Sequence, residues 1–100
     1  MFVHIVNFWL KKGLSDAERA QFVTGVKTLG TVDGVKIFNV GEPASTDRPV
    51  IDRSYDYCLL TVFDDEAGHD YYQIAPIHLK FIEECKHLWE NVLIYDSVTV

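Results

Sequence analysis

"YDYCLLTVFDDEAGHDYYQIAPIHLKFIEE", residues 55–84, carries three structural elements and the two boundaries between them. From Tyr55 to Phe63 apolar and aromatic residues occupy both parities, the composition of a strand covered on its two faces. Asp64 or Asp65 then supplies an N-cap, and the acidic residues around it match the positive end of a helix dipole. That helix stops at Ala75 and Pro76, because proline cannot donate to the preceding turn, and the same proline suits the first position of a new helix. The new helix sets Ile77, Phe81, Cys85 and Leu88 on one buried stripe, with His78, Ile82 and Trp89 along its edge. Lys80, Glu83, Glu84, Lys86 and Glu90 face water.

On the N-terminal side, "FVHIVNFWL" (residues 2–10) puts Val3, Ile5 and Trp9 on one face and Val6, Phe8 and Leu10 on the other. This too is a doubly covered strand. It has no basic leader or small-residue cleavage site, and His4 and Asn7 interrupt it, so it does not read as a targeting segment. Ser15 and Glu18, in capping-box spacing, open a helix that runs to about Leu29 with Ala17, Phe22, Val26 and Leu29 inward and Gly30 as its stop. "GVKIFNVG" (34–41) is a second strand, and "NVLIYDSVTV" (91–100) is the last. Between strands two and three, "EPASTDRPVIDRS" (42–54) is a long polar connection of the kind that serves as a loop or partial lid.

The order strand, helix, strand, strand, helix, helix, strand contains a strand–helix–strand unit and a near repeat of it. It predicts a single α+β, ferredoxin-like domain over residues 1–100, with a four-stranded antiparallel sheet and all helices on one face. The other face would be bare yet apolar. A second copy meeting it face to face is the simplest cover, which predicts a homodimer in the form of a dimeric α/β barrel.

Composition narrows the classes of function. One hundred residues suffice for one core. A formal net charge of -6, with no cluster of Lys or Arg, would repel nucleic acid and anionic membrane surfaces. No apolar run approaches the roughly 20 residues of a membrane helix, and the chain reads as cytoplasmic. Cys58 and Cys85 lie far apart in apolar patterns and read as reduced core residues. Nucleotide-binding glycine loops and a serine-nucleophile motif are both missing. His69 with Asp70, and His87 with Glu84 or Glu90, read as solvated surface in the absence of HExxH or Cys/His clusters. Neither a cofactor nor a metal is therefore expected.

The stretches "VHIVNF", "LSDAERAQF", "GVKIF", residues 55–84 and "VLIYD" resemble the stress-responsive dimeric α/β-barrel family, the Dabb domain, over nearly the whole chain. In that family the helix junction often reads Tyr, two residues, His-Pro-x-His, and then an aromatic. Here it stands as Tyr72, Gln73, Ile74, Ala75, Pro76, Ile77, His78 and Phe81, with Ala75 replacing one family histidine. The resemblance implies a homodimeric barrel. One plant branch, the olivetolic acid cyclase type, closes a linear polyketide by an intramolecular aldol step using a tyrosine and a histidine. These correspond to Tyr72 and His78, and that branch's early-strand histidine corresponds to His4.

The resemblance thus implies catalytic roles for His78, Tyr72 and His4 on a small apolar carbonyl ligand. An imidazole titrating near 6.5 in water, and lowered further by burial, is a natural general base at neutral pH. A buried phenol can donate to an oxygen on which negative charge develops. Each residue also has an architectural role open to it. His78 can brace the Pro76 junction, Tyr72 can act as an amphipathic side chain with a wet tip, and His4 can be a satisfied core residue. The chain would then be a non-catalytic homodimer for binding or stress protection. Tyr71 shares a stripe with Phe63 and Ala67 and competes with Tyr72 for the inward position. On one unbroken helix, residues 72 and 78 would lie about 120° out of alignment. The break between them allows convergence on a cavity that His4 approaches from the first strand.

Overall fold

The capping box and the doubly apolar strand segments become regular elements in the computed structural model, which describes residues 1–100. They are β1 (Phe2–Leu10), α1 (Asp16–Lys27), β2 (Ile37–Gly41), β3 (Tyr57–Phe63), α2 (Glu66–Ile74), α3 (Pro76–Cys85) and β4 (Trp89–Val98). The strands form one sheet in the order β2-β3-β1-β4, with every neighbouring pair antiparallel. This is the ferredoxin-like plan. At the start of α1 the Glu18 amide donates to Ser15 Oγ (3.1 Å) while the Ser15 amide donates to Glu18 Oε1 (3.0 Å). Of the two candidate caps for α2, Asp65 is the one used, accepting from the Gly68 amide at 3.1 Å. Ala75 is extended (φ -62, ψ 140), so α2 ends there and Pro76 opens α3 in a new direction.

The two parities of β1 now separate. Phe2, His4, Val6, Phe8 and Leu10 face the helices and are buried, whereas Val3, Ile5 and Trp9 are half-buried on the helix-free face. At the core, the Phe22 ring lies 5.0 Å from that of Phe8 and 5.4 Å from that of Tyr57. In register, Ile5 stands opposite Leu60 on one side and Tyr95 on the other. The helix-free face therefore presents Ile5, Leu60 and Tyr95 with Leu93 and Ile37 around them, the last two and Tyr95 exposed. With one layer of helices and one sheet, the molecule is a slab of 38 × 34 × 17 Å. No helix is long and apolar enough to cross a membrane.

Several details depart from the sequence reading. α1 ends at Lys27, and Leu29 is buried from a 3-10 turn over Thr28–Thr31. The Thr28 and Thr31 hydroxyls donate to the carbonyls of Gly25 (2.6 Å) and Thr28 (2.7 Å), competing locally for acceptors and favouring the tighter turn. Gly30 sits inside that turn rather than stopping a helix. A Cβ there would lie 2.7 Å from the Phe38 ring, so the close approach of turn and β2 depends on its absence. Ala17 and Ile77 are exposed, because each occupies the first turn of its helix, ahead of the residues that the helix buries. Cys85 is a core residue as expected, but Cys58 is only half-buried, since its parity on β3 puts it on the helix-free face opposite Asn7. Both thiols are free.

Candidate functional site

The break at Ala75 brings the two halves of the helical layer together over the middle of β1. α2 turns His69 and Tyr72, one turn apart, toward the sheet, while Ala67 and Tyr71 point to solvent. The competition between adjacent tyrosines is thereby resolved: Tyr72 is fully buried and Tyr71 is 47% exposed. From the first turn of α3, His78 meets Tyr72 with ring centroids 4.8 Å apart. From β1, the His4 ring reaches to 5.8 Å from Tyr72. All three line one cavity of about 150 Å³, walled by apolar side chains such as Val6, Phe81 and Trp89. Exposed Val92 and Ile94 line its β4 side. No residue of the 42–54 connection lines it, so that loop is not a lid over this cavity.

Within this largely apolar space the Tyr72 hydroxyl and His78 Nδ1 are buried and make no hydrogen bond of good geometry, the Gln73 backbone being the nearest polar influence on the His78 ring. Two orphaned polar atoms on neighbouring rings are unusual in a folded core, where such groups are almost always paired. Burial raises the Tyr72 phenol well above its ordinary value, so it remains a protonated donor. Burial is also the main reason that the His78 imidazole is lowered, assisted by the charges of His4 and His69 and opposed by the backbone of Gln73. At neutral pH the site thus pairs a neutral phenol with a neutral imidazole.

His4 is held differently. Asp96 of β4 is its register partner, and Nδ1 lies 2.5 Å from Asp96 Oδ1. With Nδ1 engaged by the carboxylate, Nε2 is the nitrogen left for the cavity. Burial lowers the His4 imidazole, and the hydrogen bond and charge of Asp96 act in the opposite direction.

Two members of this surround were not singled out as site residues from sequence: Asp96, and His69, which read as solvated surface. His69 instead stacks on Phe2 at 4.4 Å and lies 4.9 Å from His4. Its three-residue spacing from Tyr72 was the available signal, since residues so spaced share a helix face.

The lowered imidazoles dictate a pH dependence of stability. The unfolded chain takes up protons at His4 and His78 near pH 6.5, whereas the folded chain does so only at lower pH. Over that interval unfolding binds protons, so stability is complete above about pH 6.5 and declines as pH falls below it. Thermal unfolding should show Tm decreasing from pH 7.5 to 5.5, with a shallower decrease in His78→Leu. An equal slope in the variant would contradict the burial of a neutral His78.

Residues 2–99 match the family model described as the Stress responsive A/B Barrel Domain, Dabb. Among solved structures, a Dabb family protein with a ferredoxin-like fold from Mesorhizobium loti aligns at TM-score 0.80 and 28% identity, covering 99% of this chain and 96% of that one. A dimeric ferredoxin-like protein of unknown function from Thermobifida fusca aligns at TM-score 0.78 and 18% identity, over 98% of this chain and 90% of that one. A hydroxynitrile lyase from Passiflora edulis aligns at TM-score 0.79 and 20% identity, over 99% and 93%. The last two likenesses concern the fold alone. No curated protein matches the sequence. With nearly its whole length inside the family model and a family member among its structural neighbours, this chain belongs to the stress-responsive α/β-barrel (Dabb) family.

Proposed function

We propose that this protein is a homodimer whose cavity takes a small apolar carbonyl compound and abstracts a proton beside the carbonyl. His78 is the general base, and the Tyr72 phenol donates to the oxygen that becomes an enolate. The observation that carries this reading is the pair of unpartnered polar atoms, Tyr72 Oη and His78 Nδ1, in a cavity whose other walls are apolar except for His4 and Gln73. A donor and an acceptor left unpaired there destabilise the empty protein by about 1–3 kcal/mol each, and a ligand carrying an oxygen next to an acidic C–H satisfies both. His4, its proton position set by Asp96, lies near enough to influence the charge of His78.

Size restricts the substrate. About 150 Å³ lies well below the roughly 300–1,000 Å³ of pockets for drug-sized ligands and is comparable with a space that holds benzene. A polyketide chain would have to extend out of the cavity past exposed Val92 and Ile94, so this reading favours compounds of about six or seven heavy atoms, near the size of benzene, over a cyclase substrate. The replacement of the family histidine by Ala75, itself buried, leaves one fewer group for proton relay. Homodimerisation is supported by the bare apolar face of the slab and by the dimeric state named for the Thermobifida fusca neighbour.

The test is hydrogen–deuterium exchange α to the carbonyl of cyclohexanone and 2,4-pentanedione, followed by NMR in D2O. Wild type should accelerate exchange, and His78→Ala should lose that acceleration by about 10²–10⁴-fold, the usual contribution of a positioned base. Equal exchange in both proteins, each folded by circular dichroism, would defeat the acid–base reading. Saturable binding without exchange would favour a non-catalytic binding homodimer. A small hydroxynitrile forms a second arm, prompted by the name of the Passiflora edulis neighbour.

A further inference from the structure

At the edge of the cavity three metal-ligating side chains from three different elements converge, His4 of β1, His69 of α2 and Asp96 of β4. His4 Nδ1 lies 2.5 Å from Asp96 Oδ1, and His69 Nε2 lies 4.0 Å from Asp96 Oδ2. The ligand atoms of all three residues fall within 4.8 Å of one another. A tetrahedral ion with ligands at about 2.0–2.2 Å spaces its donors at roughly 3.3 Å, so the observed separations bracket the required one. Accommodating an ion means moving the half-exposed Asp96 carboxylate back from His4 by roughly 0.8 Å and drawing the His69 ring inward by up to roughly 1.5 Å.

The surroundings favour a cation. Gln73 Nε2 lies 3.1 Å from His69 Nε2, an amide N–H against a lone pair, which leaves the proton of His69 on Nδ1. There the Asp70 carboxylate accepts at 3.4 Å. A carboxylate on the far nitrogen of an imidazole is the arrangement that orients and strengthens metal-binding histidines. On the solvent side an open depression holds Asp96 and His69 together with Glu66 and Asp70, and no Lys or Arg lines it. That is an entry path with a negative field.

We propose that His4, His69 and Asp96 form a binding site for a divalent transition cation of the zinc type. Two imidazoles and one carboxylate, with a fourth position open to the depression, suit zinc, cobalt or iron(II) rather than magnesium or calcium, which prefer oxygen donors. The Gln73 amide is displaced from His69 Nε2 as the ion enters. The site does not require the proton-abstraction reading, because its three residues include neither Tyr72 nor His78, although His4 lines both.

Titration of the whole protein with Co2+, followed by its visible d–d bands, tests this. Wild type should develop saturable bands at one ion per chain, which Zn2+ abolishes. His69→Phe keeps the ring stack on Phe2 while removing a ligand, and it should eliminate the bands, as should Asp96→Asn. Asp70→Asn should weaken binding about tenfold or more, as loss of an outer partner does. His87→Gln should leave the bands unchanged. Bands that survive His69→Phe, that vanish in His87→Gln, or that fail to appear at millimolar Co2+ would overturn the proposal.

Discussion

Ile5→Asp should convert the protein from a dimer to a folded monomer. In sedimentation at micromolar concentration, wild type is expected at twice 11.5 kDa and the variant at 11.5 kDa, with its helical circular dichroism retained. Ile5 sits at the middle of β1 on the helix-free face, between Leu60 and Tyr95, so it contributes nothing to the core beneath the helices. In a monomer the new carboxylate meets water. In a face-to-face dimer it is buried, and a twofold interface carries it twice. An uncompensated buried charge costs about 3–5 kcal/mol, and each 1.4 kcal/mol is a tenfold change in Kd, so assembly should weaken by at least two decades. Val6→Asp supplies the contrast. Val6 belongs to the buried parity, and a charge there should unfold the chain rather than separate two folded copies. A wild-type monomer at micromolar concentration would refute the face-to-face arrangement.

The second large effect is a divergence of stability and activity at Tyr72. Its hydroxyl is fully buried and has no partner, so Tyr72→Phe removes an unsatisfied polar group while retaining the ring that packs between Phe63 and His78. The ligand-free variant should gain about 1–3 kcal/mol, at roughly 4–8 °C in Tm for each kcal/mol in a domain of this size. In the same variant the exchange reaction at a bound ketone should fall by about 10²–10³-fold, the usual cost of losing one oxyanion donor. A structural hydroxyl behaves in the opposite way. If Tm falls in Tyr72→Phe, the phenol has a partner in the folded protein, and the donor role assigned to it is wrong.

The outcome at individual residues explains what was readable from sequence. The order of elements was legible because each boundary rests on local chemistry: the Ser15 and Glu18 box, the Asp65 cap, and a proline that ends one helix and begins the next. The face of β1 that meets the helices was not legible. Both parities are apolar, and only the pairing of β1 with β3 and β4 in a sheet covered on one side distinguishes Ile5 from Val6. The end of α1 was missed for a local reason, since threonine hydroxyls at 28 and 31 favour a 3-10 turn where periodicity alone extends the helix. For the candidate site, convergence of Tyr72 and His78 followed from the junction, whereas His69 and Asp96 join His4 through register and tertiary packing. No spacing along the chain encodes a contact across 92 residues.

That long contact bears on how the molecule is made. Of the four strands β1 is made first, yet it sits in the interior of the sheet, and its second neighbour is β4, which is made after the other three. Until then, β1 can pair only with β3, and one of its edges stays open with His4 lacking its carboxylate. Topologies dominated by such distant pairings fold slowly, and an unpaired apolar strand edge is a template for association with other chains. Nascent chains of this protein therefore pass through an interval in which the fold is nearly complete and the site is absent. During that interval a chaperone, or a second nascent copy, has its best opportunity to bind.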